Sequence, residues 1–307
     1  MSRISRYQES IEKFIKNKNI NDYFTEEYSQ KIYDKLIESD HLGGIIVSTI
    51  FNHNSKKTNL KGHGYFIGLM IDIIIMIIKS DSNTGNINYN LFIGLYKLLT
   101  ENINLIKTSK HETLNNIIIL VLTYFNNNVY DILVDTKISE PKKMIKNDLL
   151  NLKSIDNQMY KKIANMYRYD SEDIINYTKR IYGKLGKLIF VLSWILGGGD
   201  ISKDTLKKIE IIGEQFGIIY KICYDFENII DDINNDKVTK NIVINIGIQE
   251  SFALFMETKS AFYEESYKLD VYTHTMKEVI DELENKIDKV LDNCKIDIKS
   301  VYSSFTK

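Results

Sequence analysis

The sequence predicts an all-α fold, and three observations carry that prediction. Apolar residues recur at three- and four-residue steps along most of the chain. Strand-like alternation is absent over any useful length. Proline occurs once, at Pro141, so few built-in breaks interrupt the helices. At 307 residues the chain is long enough for a sizeable core, and no stretch between helices is long enough to force a second domain. A single helical domain over residues 1–307 is the expectation.

The elements can be justified in chain order. Met1 to Glu9 turns polar at once and holds no apolar signal core. The polar stretch Asn52 to Asn59 reads as a loop. Ile67 to Ile78 is the longest apolar run; it contains Asp72 and falls short of the roughly 20 residues a membrane span needs. It reads as a buried core helix. Asp81 to Asn86 is a turn. Ile117 to Leu122 has the composition of a buried strand, but a lone strand would have no partner. Asn126-Asn127-Asn128 interrupts or ends a helix, and Thr136 to Asp148, with Pro141 and several lysines, reads as a long connection. Ile174 to Leu196 is a helix whose second half is apolar nearly all round, with Phe190 and Trp194 in the core. Gly197-Gly198-Gly199 stops it. Ser202 or Asp204 caps the next helix, which runs through Ile211 to the segment 216–228. Near the end, Met276, Val279, Ile280, Leu283, Ile287, Val290 and Leu291 form the apolar face of an amphipathic helix.

Composition narrows the function classes. Hydrophobic residues are 44% and charged residues 26%, as in an ordinary globular protein, and the net charge of -1 provides no global field toward nucleic acid or an anionic membrane. Cys223 and Cys294 are isolated, which argues against a disulfide framework and fits a reducing, cytoplasmic compartment. Cys223 reads as a core thiol. His41, His53, His63, His111 and His274 show no metal-ligand spacing and read as surface or polar-network residues. Gly62-His63-Gly64 before an apolar helix lacks the rest of a phosphate-loop pattern and reads as a tight helix start. Lys142, Lys143 and Lys146, and Lys161 with Lys162, make two local basic patches. With abundant tyrosine they allow base stacking, but the default reading is a solvated face.

The most informative stretch is Phe216-Gly217-Ile218-Ile219-Tyr220-Lys221-Ile222-Cys223-Tyr224-Asp225-Phe226-Glu227-Asn228. It resembles the second aspartate-rich region of the trans-isoprenyl (polyprenyl) diphosphate synthases. That region reads Gly, two apolar residues, Phe-Gln-Ile, any residue, Asp-Asp, two residues, Asp. Gly217 and Ile222 match, Tyr220 and Lys221 replace Phe and Gln, and Asp225 falls on the second Asp. Tyr224 and Asn228 fall on the other two. Upstream, Lys184-Leu185-Gly186-Lys187-Leu188-Ile189 is similar to the family's Lys-Thr-Gly/Ala-x-Leu-Phe, and Asn157-Gln158 stands where it has Gly-Gln on a pocket-lining helix. Downstream, Asp236 to Asn241 followed by Gly247 is also similar. The resemblance covers residues 157 to 292.

In the N-terminal half the family's pattern fails. Its Gly-Lys-x-x-Arg-Pro segment has as nearest counterpart Gly62-His63-Gly64-Tyr65-Phe66-Ile67, with His63 at the Lys, Phe66 at the Arg and Ile67 at the Pro. Counting helices places the first aspartate-rich motif near Asn104 to Glu112, which contains no Asp; Lys107 and Lys110 there would repel a metal. The other candidate, Asp81, is a single acid in a turn.

The resemblance implies an isoprenoid-synthase-like bundle around a central cavity, assembled as a homodimer or as a heterodimer with a related subunit. In an active member, carboxylates at i and i+4 share a helical face and hold Mg²⁺, which neutralises the departing diphosphate. Here the resemblance implies Lys184, Gln158 and His63 as diphosphate-binding residues, an isoprenoid diphosphate as ligand, and Mg²⁺ as cofactor if the chain is active. Asp225 and Asp232, seven residues apart on one helical face, are the candidate metal ligands; the same acidic cluster also reads as a solvated helix end. With two of three carboxylates replaced, three readings stand: an inactive scaffold, a diverged prenyl diphosphate synthase, and a protein- or nucleic-acid-binding module. No residue is assigned a catalytic role.

Overall fold

The apolar steps become α-helices throughout. The structure, a computed structural model, describes residues 2–37, 39–55, 64–79, 89–107, 114–133, 138–144, 148–235 and 239–300. Within them lie α1 (Arg3–Lys16), α2 (Glu26–Ile37), α3 (Leu42–Ser55), α4 (Gly64–Lys79), α5 (Tyr89–Lys107) and α6 (Leu114–Leu133). After the short strand β1 (Lys142–Lys143) come α7 (Asn157–Ala164), strand β2 (Tyr167–Arg168), α8 (Ser171–Thr178) and α9 (Lys184–Leu196). The series ends with α10 (Lys203–Glu227), α11 (Ile229–Asn235), α12 (Ile242–Ile246), α13 (Ile248–Lys268) and α14 (His274–Leu291). Contacts group the chain into two compact units. The first comprises Met1–Asp135, Lys184–Gly213 and Ser266–Val279, the second Thr136–Gly183, Glu214–Glu265 and Ile280–Lys307.

In the first unit α4 is the core helix that its apolar run predicts. Ile67, Met70, Ile71, Ile73 and Ile74 have no exposed surface, and α4 packs on α3, α5 and α9. Fully burying one such side chain stabilises by about 1.5–3 kcal/mol. Two expected breaks are overridden by packing. Asn52, His53 and Asn54 belong to α3 rather than a loop, with the Asn54 side chain donating to the Trp194 carbonyl at 3.4 Å. Residues 56–63, which include Gly62 and His63, lie outside the described residues, as do the turn 81–86 and His111. Likewise α6 runs straight through Asn126-Asn127-Asn128 to Leu133. Phe125, Val129 and Ile132 are buried on one face, and Asn128 bonds back to the Tyr124 carbonyl at 2.8 Å instead of breaking the helix. Ile117 to Leu122 is part of the same helix. The stop after α9 is as expected: Gly198 has φ 86°, a left-handed turn that favours glycine. Ser202 then caps α10 by accepting from the Thr205 N–H.

In the second unit the segment expected as one helix from Ile174 to Leu196 carries a π-turn at Lys179–Gly183. Gly217 of α10 packs directly against it. A Cβ on Gly217 would lie 1.8 Å from the Tyr182 carbonyl oxygen. That is backbone against backbone, and no rotamer relieves it. Gly217→Ala is therefore expected to destabilise the protein by about 1–3 kcal/mol or more, measured as a shift in the urea midpoint. The stretch expected as a bare connection holds β1, which pairs antiparallel with β2 through Lys142↔Arg168 and Lys143↔Tyr167. Asp148 closes it by accepting the Ile248 and Gln249 N–H groups at 2.7 and 2.9 Å, an N-cap for α13 supplied from a distant segment.

Candidate functional site

The resemblance points first to the second half of α10, where Asp225 is the surviving carboxylate. Asp225 is 1% exposed and Lys221 5%. One turn separates them, and the Lys221 ammonium donates to Asp225 Oδ1 at 2.6 Å. The other oxygen, Oδ2, accepts the backbone N–H of Ile242 at 2.6 Å. The Lys221 ammonium also lies 4.9 Å from the centre of the Tyr182 ring. Burial pushes the Asp225 carboxyl up to about 6, against the opposing pull of Lys221. Burial by itself would lower the Lys221 pKa, but the Asp225 charge outweighs it and the net direction is up. At neutral pH the two are thus an internal ion pair.

Around this pair runs a network of amides. The Asn241 carboxamide donates to the Asp225 carbonyl at 2.8 Å and to Asp232 Oδ2 at 2.7 Å. Its oxygen accepts the Ile244 N–H at 3.1 Å and so caps α12. Asn245, fully buried, donates to the Thr239 and Asn241 carbonyls and accepts the Tyr169 N–H at 2.6 Å. Of the two aspartates proposed as metal ligands, Asp232 reaches the Asn241 amide, while the Asp225 carboxylate is taken by Lys221 and the Ile242 N–H. Asn228, at the third aspartate position, turns back to the Tyr224 carbonyl at 2.8 Å. Asp236, Lys237 and Val238 lie outside the described residues.

This donor set does not fit Mg²⁺, which needs several hard oxygens converging on one point. Asp225 offers no unshared oxygen, and a lysine already supplies the neutralising charge. Among the described residues no group of three or more His, Cys, Asp or Glu side chains is placed to hold a metal ion. Cys223, on the same helix, is a fully buried thiol whose pKa burial raises well above its ordinary value.

The remaining sequence candidates fall elsewhere. Lys184 belongs to the first unit and forms an ion pair with Asp131 of α6. Gln158 belongs to the second unit and lines a surface cleft with Lys161 and Lys162. His63 lies outside the described residues. Phe66, at the arginine position of the resemblance, is 6% exposed and packs edge-on to Phe14 with ring centres 5.0 Å apart. It is a core residue.

One polar centre escaped the sequence reading as a pair. In the first unit Asp72, inside the apolar α4, accepts the Gly44 N–H at 3.0 Å and contacts His41 Nδ1 at 3.1 Å. Both side chains are 1% exposed. His41 has φ 54°, a strained left-handed value for a non-glycine residue, just ahead of α3. Burial pulls the His41 pKa down, but the hydrogen bond and charge of Asp72, with Glu12 and Asp40, turn the net direction upward. The available signal was an aspartate alone in a twelve-residue apolar run, which must find a partner once buried.

No protein-family model matches the chain, and no curated protein matches it in sequence. Solved structures do resemble it. The geranyltransferase of Helicobacter pylori superposes with a TM-score of 0.56 at 15% identity, covering 94% of this chain and 99% of that one. A structure of the H. pylori enzyme complexed with magnesium and isoprenyl diphosphate gives 0.56 at 14%, covering 93% and 96%. The geranyltranstransferase of Thermotoga maritima gives 0.53 at 13%, covering 93% and 97%. At these identities the likeness establishes the fold: this chain has the all-helical fold of the trans-isoprenyl diphosphate synthases.

Proposed function

We propose that this trans-isoprenyl-synthase fold serves as a catalytically inactive, polyprenyl synthetase-like scaffold with a binding, structural or regulatory role. The observation that supports this is the Lys221–Asp225 pair. In the enzymes that the motif resembles, carboxylates at the positions of Tyr224, Asp225 and Asn228 hold the metal that takes charge from departing diphosphate. Here the surviving carboxylate is neutralised internally by Lys221 and tied to the Ile242 N–H. An allylic cation forming nearby would meet no metal-bound acceptor for the diphosphate it leaves. The reading extends to a homodimer, or a pairing with an active relative, in the cytoplasm. No helix among the described residues is long and apolar enough to cross a membrane.

Purified protein incubated with labelled isopentenyl diphosphate, dimethylallyl, geranyl or farnesyl diphosphate, and Mg²⁺ or Mn²⁺ is expected to form no prenyl product above the protein-free control. Product formation that disappears in Asp225→Ala would overturn the reading and establish a diverged synthase.

A further inference from the structure

Lys142 and Lys143 of one basic patch, and Lys161 and Lys162 of the other, belong to the second unit. β1 pairs with β2 so that Lys143 stands opposite Tyr167. Residues directly opposite in a ladder project to the same face, so Lys143 shares the face of the Tyr167 ring. Tyr167, 44% exposed, is also a wall of the cleft that holds Lys161 and Lys162 of α7. Lys142, on the other face, is already paired with Asp170 at 2.6 Å. The ladder thus commits one lysine to Asp170 and sets another on the face of Tyr167.

The cleft has a volume of about 600 Å³, within the range of small-molecule sites, roughly 300–1,000 Å³. Its floor is apolar, made by buried Met166 and Ile233. Its walls carry carboxamides from two helices and the loop between: Gln158, Asn165, Asn234 and Asn235. No carboxylate lines it among the described residues. Lys162 is held in place by the Asn234 side-chain oxygen at 2.7 Å and the Asn234 carbonyl at 3.3 Å, which leaves one N–H donor on the ammonium. Lys161 has no side-chain partner among the described residues, and its carbonyl fixes Asn165 at 2.9 Å.

These groups have three complementary preferences. Two lysines lining one cleft, with no carboxylate among its described lining residues, suit a phosphate. Carboxamides, with both donors and acceptors, match the edge of a heterocyclic base or sugar hydroxyls. An exposed tyrosine ring beside an apolar floor offers a stacking surface for a flat ring. We propose that this cleft binds a mononucleotide, with the phosphates on Lys161 and Lys162 and the base against Tyr167. A bare anion would leave the ring and the amides unused; an isoprenoid chain would leave the amides unpaired.

The test is calorimetric titration of the full chain with ADP, GDP, CDP and UDP, alongside inorganic pyrophosphate and geranyl diphosphate. At least one nucleotide is expected to bind with a Kd below about 1 mM. Lys161→Ala with Lys162→Ala should weaken it about a hundredfold, as two phosphate contacts of about tenfold each. Tyr167→Ala should weaken it about tenfold or more, while Tyr167→Phe, which keeps the ring, should not. Lys289→Ala, outside the cleft, should change nothing. All are exposed or half-buried positions, and circular dichroism checks that each variant remains folded. Binding by none of the four nucleotides would overturn the proposal. So would pyrophosphate binding as tightly as the best nucleotide, which means an anion site only, or geranyl diphosphate doing so, which means an isoprenoid site. The prenyl-transfer assay and this titration read different residues, so either can fail alone.

Discussion

Lys221→Met is expected to destabilise the protein by about 3–5 kcal/mol at pH 7, because it strips the partner from a buried carboxylate, which must then hold an unpaired charge or take up a proton. Asp225 is 1% exposed and, among the described residues, keeps only the Ile242 N–H as a hydrogen-bond donor to its side chain. Chemical denaturation at pH 7 measures the loss. Adding Asp225→Leu to the same variant removes the stranded charge, so the double variant should recover much of the stability. A double variant no more stable than Lys221→Met would mean the pair is not the unit described here. The pH dependence has a definite sign. Burial raises Asp225 from its ordinary 3.8 to about 6 in the folded protein. A group raised on folding contributes stability that is full below its unfolded pKa and lost as pH rises through the folded one. The contribution of Asp225 therefore falls between pH 4 and 6, by about 3 kcal/mol. Removing Lys221 takes away the charge that held this value down and moves the window to higher pH. The penalty of Lys221→Met should then shrink as the pH is lowered from 7 to 5, when Asp225 can take up a proton.

Asp72→Ala should cost a comparable amount, about 3–5 kcal/mol, by unpairing two buried groups at once. One is His41 Nδ1, the other the Gly44 N–H in the first turn of α3. Asp72→Asn keeps an acceptor for Gly44 but no charge for the imidazole, so it should cost less. The raised His41 pKa depends on Asp72 for its largest upward contribution. Without that carboxylate, burial dominates and the His41 pKa should drop below its ordinary 6.5, a shift that imidazole proton resonances report directly. For the native protein, the stability His41 provides is full below pH 6.5 and lost as pH rises through its raised folded value. The alanine variant should lose that slope. An unchanged His41 titration in Asp72→Ala would show that the contact does not set its charge.

Much of the molecule is legible from residue spacing. The apolar run 67–78 is the fully buried α4. The steps through Met276, Val279, Ile280, Leu283 and Ile287 are the buried face of α14. Gly198 and Ser202 mark the end of α9 and the start of α10. The mistakes cluster where polar residues stand inside a helix. Asn126 to Asn128 read as a break, but Phe125, Val129 and Ile132 bury the other face and carry the helix through. Residue propensity is a fraction of a kcal/mol per position, and a buried phenylalanine outweighs it.

The candidate site divides along the same line. The resemblance carried by Phe216 to Asn228 can be read from the sequence alone, and so can the one-turn spacing of Lys221 and Asp225. That spacing follows from the helix repeat, which depends only on neighbours along the chain. Whether Lys221 turns inward, and which distant groups meet Asp225, does not follow from it. Ile242, seventeen residues on, takes one of its oxygens, and the Asn241 amide joins the Asp225 backbone carbonyl to Asp232. Lys184 pairs with Asp131 across 53 residues, and His41 with Asp72 across 31. Lys143 stands opposite Tyr167, a wall of the cleft that holds Lys161, through a two-residue ladder that no alternation announces. The sequence by itself determined the helical class and the apolar core, because each is a local count. The tertiary structure decided how Asp225 and Asp72 are partnered, because a buried charge takes its role from the groups that packing brings to it.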